Sequence, residues 1–326
     1  DWSLLRSDSP SCDSSLIEET RARDAEVLRE RKIRKQQLRI IADKFNEKPL
    51  KADWLKLAVS KSIVEPATSD DIASIKPPAP AAGKEPVPVD KHDRMFSEVA
   101  SARNVAQFLK NTYGLSKAAV GEYISKGPVE IFPFHAAVLK AYVETFDFPP
   151  EEGFAGALRY FLGIFRMPGE AQCIDRLLEA FAARLFAILG EGCPFSSADA
   201  VFILAFSTIM LNTDLHNPRH PKNHKKMTLA EFLRNNRDIN DGKALPPEYL
   251  TALYNDIKNR QIKLDIDISD GAGTEDDIVG MSDALSWKAL LQKSDLDQAP
   301  AIFTPTVDAR QSLSGLSRRR VLHAPS

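Results

Sequence analysis

Residues 174–188 read IDRLLEAFAARLFAI, and their apolar positions, Ile174, Leu177, Leu178, Phe181, Leu185 and Ile188, recur three and four apart. That is the period of one buried face of an α-helix. Pro168-Gly169 precedes the run and Gly192 with Pro194 follows it, so the helix is bounded on both sides. The next segment differs. Residues 201–211, VFILAFSTIML, are apolar on nearly every face, which requires a helix surrounded by protein. Ser196, Ser197 and Asp199 offer its N-terminal cap, and Asn212, Thr213 and Asp214 are expected to return the chain to water.

Working outward, helical writing extends from Arg94 to Arg260 with breaks at Gly114, Gly127-Pro128, Pro149-Pro150 and the two pairs above. No segment alternates with period two between hairpin turns, so the fold class is all-α. Leu16 to Phe45 mixes charges with sparse Val27, Leu28, Ile33, Leu38 and Ile41, the pattern of a long, mostly solvated helix; a shorter amphipathic stretch runs from Ala52 to Val64. Pro77, Pro78, Pro80, Pro86 and Pro88 mark residues 66–93 as a disordered insertion. The expected organisation is a flexible charged segment over 1–30, a helical domain over 31–263, and a largely unstructured tail over 264–326, acidic and then basic. Within that tail only Ser286 to Gln292, around Trp287, is amphipathic.

The 326 residues carry 43 Lys+Arg against 45 Asp+Glu, and a net charge of −2 gives no long-range attraction for a phosphate polymer. Nucleic acid is therefore not an expected partner. Cys12, Cys173 and Cys193 are odd in number and form no CxxC pair, which excludes a disulfide framework and a cysteine zinc site and fits a reducing compartment. No basic-then-apolar leader opens the chain, and no stretch is read as approaching the roughly 18 apolar residues of a membrane span. Because it opens on Asp1, the chain is read as a piece of something longer.

Phosphate-loop, GxSxG and HExxH motifs are all absent. His216, His220 and His224 stand four apart, but Pro218 and Pro221 between them break any helix, so no metal site is expected. Asp265, Asp267, Asp270 and Gly271 miss the calcium-loop spacing. The remaining candidate is Glu170, in FRMPGEAQ (165–172), a carboxylate on a Pro-Gly turn at the start of a helix. Taken alone, such an acid merely complements the helix dipole.

The same loop taken together with LNTDLHNP (211–218) resembles the two signature motifs of the Sec7 domain, the catalytic domain of guanine-nucleotide exchange factors for Arf-family small GTPases. The likeness runs from Lys32 to Ile262. It includes KFNEKP (44–49), VAQFLKNTYGLSKAAVGEYI (105–124) and KMTLAEFLRNNRDINDGKALPPEYL (226–250). Trp287, Leu290, Leu291 and Ala299 to Phe303 are similar to the segment C-terminal to this domain in the large Golgi, GNOM-like subfamily.

The resemblance implies a right-handed superhelix of short helices with an apolar groove beside a catalytic loop. It implies Glu170 as the catalytic finger, and Phe202, Phe206, Ile209, Met210 and Asn217 as the partner-binding groove. The partner implied is a GDP-bound, then nucleotide-free, Arf-family GTPase, with no cofactor and no covalent chemistry. Location would be cytoplasmic with peripheral recruitment to Golgi or endosomal membranes. Ser207, Asp214 and Met227 match the pattern for the inhibitor brefeldin A, whereas Phe206 replaces the Tyr associated with sensitivity, so weak or intermediate inhibition is expected. Met167, Cys173 and a long 219–225 loop depart from the commonest family pattern. A non-catalytic scaffold that binds a GTPase or a helix through the same fold stays open as an alternative.

Overall fold

The chain is described by a computed structural model over residues 14–80, 85–148, 153–190, 192–217 and 224–263. Helix α1 (Ser14–Glu47) is solvated for most of its described length, as its sparse apolar residues dictate: Val27, Leu28 and Ile33 are exposed, while Ile41, Ala42 and Phe45 sink into the core. It runs unbroken across residue 30, so the expected flexible segment over 1–30 is helical from Ser14 onward. Helix α2 (Asp53–Ser60) buries Trp54, Leu55 and Ala58, and the Trp54 indole N–H donates to the Pro49 carbonyl at 2.9 Å.

Residues 66–93, expected to be disordered, contain α3 (Ser69–Ser74), held by a capping box between Thr68 and Asp71. Ala67 N–H also donates to the Val99 carbonyl, which ties the start of the insertion to α4 (Lys91–Val99). The described residues between α3 and α4 form neither helix nor strand. Prolines forbid helical hydrogen bonding there, but the short Ser/Asp-rich sequence ahead of them suffices for a capped turn and a half.

Helices α5 (Ala102–Asn111), α6 (Lys117–Ile124) and α7 (Pro133–Glu144) come next. The cap of α7 comes from far away in sequence. Phe132 supplies no side-chain cap; instead the buried carboxylate of Asp93, on α4, accepts the Phe134 and His135 backbone N–H groups at 2.8 and 3.2 Å and pairs with the His135 ring. A buried carboxylate is tolerable only when its lone pairs are filled, and here the donors are the orphan amides that a helix start always leaves. Rings of Phe45, Trp54, Phe96 and Tyr123 pack edge-to-face or tilted around this point, at centroid distances of 5.0–6.3 Å.

Helix α8 (Gly153–Ile164) leads to the central pair, α9 (Ala171–Leu189) and α10 (Ala198–His216). Gly190 ends α9 at φ +63°, a conformation that costs glycine little. Helix α10 caps on Ser197, whose hydroxyl accepts from Ala200 N–H, and is buried on almost every side. By length and composition it is apolar enough to cross a membrane, contrary to the expectation from sequence, but here protein surrounds it. Thr208 and Thr213 stay satisfied by donating to the carbonyls of Leu204 and Ile209, one turn back.

Helices α11 (Leu229–Asn235) and α12 (Pro247–Asn259) close the bundle, and Arg159 of α8 clamps α12 through Asp256 and the Arg260 carbonyl, both at 2.6 Å. Among the described residues there is no strand, only two isolated bridges, in line with the all-α reading. The core is continuous from Ile41 through Ile262, so α1 and α2 belong to the same packed unit as the later helices. The expected tail over 264–326, with its aspartates, lies outside the described residues.

Asn212 does not return the chain to water. It is buried, and its side-chain amide grips the backbone of Ile262 twice, accepting from the N–H at 2.7 Å and donating to the carbonyl at 3.2 Å. Asn212→Ala strands both groups, so a loss of about 2 kcal/mol in urea denaturation is expected. A loss under a few tenths would mean the clamp is dispensable.

Candidate functional site

The 165–170 loop leaves α8 and is fastened before it reaches Glu170. Phe165 and Met167 are 1% and 5% exposed, and the Phe165 ring packs edge-on against Phe161 at 5.0 Å. Between them, Arg166 N–H donates to the Lys117 carbonyl on α6 at 2.9 Å. This approach is possible because residue 121 is glycine: a Cβ there would lie 1.9 Å from the Arg166 carbonyl oxygen. A second tie holds the start of α9, where the Arg176 guanidinium donates twice to the Ser125 carbonyl, at 2.9 and 2.7 Å.

Beyond these anchors Gly169 and Glu170 are exposed. Glu170 is the N-cap of α9, with its own carbonyl accepting from Cys173 and Ile174 N–H, but its carboxylate bonds to no α9 amide. Among the described residues its carboxylate accepts one side-chain hydrogen bond, from the Cys173 thiol at 3.9 Å, and enters no ion pair. A carboxylate serving as a cap would turn back onto the N2 or N3 amide. This one does not.

Gly169 has no left-handed φ, and a Cβ there would meet open space. Ahead of it the loop is anchored by Phe165, Met167, the Lys117 carbonyl and the close approach at Gly121. Nothing in the local sequence could have revealed the last two, which lie more than forty residues upstream.

Helices α9 and α10 follow one another through the short connection 190–197 and pack along their length, so they run antiparallel. Each is about 28 Å long. The N-terminus of α9, with Glu170, therefore lies at the same end of the pair as the C-terminus of α10. Along α10, Phe202, Phe206, Ile209 and Met210 occur at helical spacing on one side, and Asn217 is the extended residue that caps the helix C-terminus. Their burial is graded: Ile209 is 1% exposed, Phe202 and Phe206 are 6% and 7%, and Met210 and Asn217 are half-buried. Ile209 is thus core, and the surface offered at this end belongs to Met210 and Asn217, with Ser207 also half-buried.

Asp214 and Met227 are brought together. One Asp214 carboxylate oxygen accepts Met227 N–H at 2.6 Å and the other meets the His224 ring at 2.7 Å, while Lys226 donates to the Leu215 carbonyl at 2.6 Å. Tyr254 donates to the Met227 carbonyl, and burial, with the Asp214 and Glu231 carboxylates, raises its hydroxyl pKa and keeps it a donor. Asp214 thus fastens the returning loop to the end of α10. The histidines are spent separately: His216 binds the Ile257 carbonyl, His224 binds Asp214, and His220 lies outside the described residues. No group of three or more metal-binding side chains occurs among the described residues.

This loop-and-helix pair sits inside residues 89–262, which match the Sec7 domain family. The chain belongs to the Sec7 domain family. Its Sec7 domain is 48% identical over 169 residues to brefeldin A-inhibited guanine nucleotide-exchange protein 1 of Arabidopsis thaliana, covering 52% of this chain and 9% of that protein. The human protein of the same name is 45% identical over 161 residues, 49% of this chain and 8% of the relative. The chain thus spans under a tenth of the length of these two relatives. Among solved structures, the Sec7p catalytic domain matches with TM-score 0.51 and 34% identity, over 69% of this chain and 97% of that one. A structure of ARF1-GDP bound to a Sec7 domain complexed with brefeldin A matches with TM-score 0.51 and 28% identity, over 72% and 95%.

Proposed function

We propose that this Sec7 domain promotes release of GDP and loading of GTP on an Arf-family small GTPase, with Glu170 as the finger. The observation that carries the reading is a carboxylate turned to solvent at the tip of a loop whose flanking residues are anchored in the core. A small GTPase grips its nucleotide through backbone amides, a lysine and Mg²⁺ around the phosphates. A second anion delivered there repels the β-phosphate, disfavours Mg²⁺ and gives the lysine a replacement partner. No covalent bond is made or broken.

Docking is assigned to the C-terminal half of α10, where Met210 and Asn217 are accessible, with Phe206 one turn back from Met210 and Phe202 one turn further toward the start of the helix. By linkage, whatever factor the bound domain takes from nucleotide affinity, bound nucleotide takes from domain affinity. The stable complex is then nucleotide-free, and GTP releases it. In a cell the protein then works from the cytoplasm, recruited peripherally to Golgi or endosomal membranes in vesicle traffic.

The test is fluorescence-detected GDP release from a panel of Arf proteins with and without the intact chain. Acceleration on at least one of them is expected; binding without acceleration on any would favour the scaffold reading. Phe206 bears on the inhibitor. Phe206→Tyr is expected to increase inhibition by brefeldin A several-fold, since the added hydroxyl supplies a polar contact at the edge of a nearly dry site. Equal inhibition of both proteins would remove Phe206 from the inhibitor site.

A further inference from the structure

The near-zero net charge hides one concentration of basic residues. Residues 29–39, on α1, read RERKIRKQQLR: six Lys or Arg against one acid, Glu30, in a chain whose total is −2. Every residue from Glu19 to Gln36 is exposed, and so is Arg39. Arg29 pairs with Glu26 at 3.3 Å, whereas Arg31, Lys32, Arg34, Lys35 and Arg39 enter no ion pair among the described residues.

Helical spacing sorts α1 into two sides. Leu38, Ile41, Ala42 and Phe45 form the side that packs on the core. The opposite side carries Arg29, Lys32, Ile33, Gln36 and Ile40, three and four apart, flanked by Leu28 and Arg39. On it Leu28, Ile33 and Ile40 are 56%, 49% and 46% exposed. The face turned away from the fold therefore interleaves cations with large aliphatic side chains that contribute nothing to the core.

One kind of surface satisfies both sets at once. A nucleic acid takes up the cations and leaves the aliphatic groups in water, and an apolar protein groove takes the aliphatic groups and strands the cations. The interface of an anionic bilayer does both, because Lys and Arg meet charged headgroups while Leu and Ile reach the acyl boundary just beneath. From Leu28 to Ile40 the face is about 18 Å long. Three aliphatic residues are too few for deep insertion, so the attraction is chiefly electrostatic and is screened by salt.

The root of α1 joins this face to the finger loop. Asn46 accepts Ser116 N–H at 2.6 Å and donates to the Gly114 carbonyl at 2.9 Å, and the carbonyl of the next residue, Lys117, accepts Arg166 N–H. A surface bound by α1 is thus connected to the loop that bears Glu170 through packed structure.

We propose that the outward face of α1, from Leu28 to Ile40, adheres to anionic lipid bilayers. This gives the peripheral recruitment proposed above a surface and rests on that reading, though not on the finger.

Flotation of the intact 326-residue chain tests it, with vesicles of phosphatidylcholine alone and of phosphatidylcholine with about 30% phosphatidylserine. A basic side chain near an anionic leaflet tightens binding about fivefold, so three outward cations give the wild type a preference of about a hundredfold for the anionic vesicles. That preference is expected to fade as salt rises from about 0.1 to 0.5 M. Arg29→Gln/Lys32→Gln/Arg39→Gln, which keeps good helix formers at exposed positions, is expected to lose most of it. Leu28→Ser/Ile33→Ser keeps every charge and is expected to weaken binding about tenfold. GDP release in lipid-free solution is expected to be the same for the charge variant and the wild type, so a failed membrane reading and a failed exchange reading are told apart. Undiminished vesicle binding by either variant overturns the proposal. So does wild-type protein that ignores anionic vesicles but holds poly-glutamate, which would make an acidic protein the partner, or that ignores both and dimerises through Leu28 and Ile33, which would make it a second copy.

Discussion

Glu170→Lys is expected to slow GDP release from the Arf partner on the order of a thousandfold while leaving the GDP-bound complex detectable. Reversing the charge converts a repulsion against the β-phosphate into an attraction. Two unit charges about 4 Å apart at an effective dielectric near 20 interact by about 4 kcal/mol, which is nearly three decades in rate. The fold has little stake in the side chain. Glu170 is exposed and among the described residues its carboxylate accepts only the long thiol hydrogen bond, so the substitution should cost less than about 1 kcal/mol, chiefly through an unfavourable lysine at the positive end of α9. Glu170→Gln, which removes charge but keeps an acceptor, should fall between. Pull-down on GDP-loaded partner, stopped-flow GDP release and thermal unfolding separate docking, exchange and folding. Wild-type release rates from Glu170→Lys would end the finger assignment.

Periodicity made the helices legible, because a helix buries a stripe and the stripe is local in sequence. Ile174 to Ile188 and the all-apolar 201–211 run are both found where that reasoning puts them. The position of Glu170 was legible too, since Pro-Gly ahead of a periodic run marks a helix start. Three features were not. Asn212 reads as the polar end of a helix, yet it is buried because the chain comes back fifty residues later to present the Ile262 backbone to it. Asp93 reads as the last residue of a disordered insertion, yet it lies in the first turn of α4 and its lone pairs are spoken for by amides of α7. Ile209 was grouped with a docking face that helical spacing alone cannot distinguish from core, and its near-complete burial assigns it to the core. In each case a partner remote in sequence decides what a polar or apolar side chain does, and one-dimensional pattern carries no record of that partner.

Gly121 is the sharpest instance, and it yields the second large effect. Gly121→Ala would put a Cβ 1.9 Å from the Arg166 carbonyl oxygen, backbone against backbone, so no rotamer change relieves the clash. Either α6 or the 165–170 loop must move by more than 1 Å, because real Cβ atoms do not approach within 3.0 Å. The loop is the weaker of the two: α6 packs Ala119, Val120, Tyr123 and Ile124 into the core, whereas the loop is held by Phe165, Met167 and one hydrogen bond. Displacing a reacting group by about 1 Å can lower a rate a hundredfold, and overpacking costs about 1–3 kcal/mol. The expected result is a fall of about two decades in exchange, a modest loss in melting temperature, and unchanged affinity for GDP-bound partner, because the α10 surface is not touched. Gly163→Ala is the control. It lies in α8, where an added Cβ meets nothing within 4 Å, so it should stabilise by about 0.5–1 kcal/mol and leave exchange alone. Gly169→Ala, equally unobstructed within the domain, separates the remaining cause: if exchange falls there without any loss of stability, the missing side chain at 169 makes room for the partner rather than for this fold. Should Gly121→Ala exchange nucleotide at the wild-type rate, the loop is not aimed from α6, and the carboxylate finds its target only after the GTPase has docked.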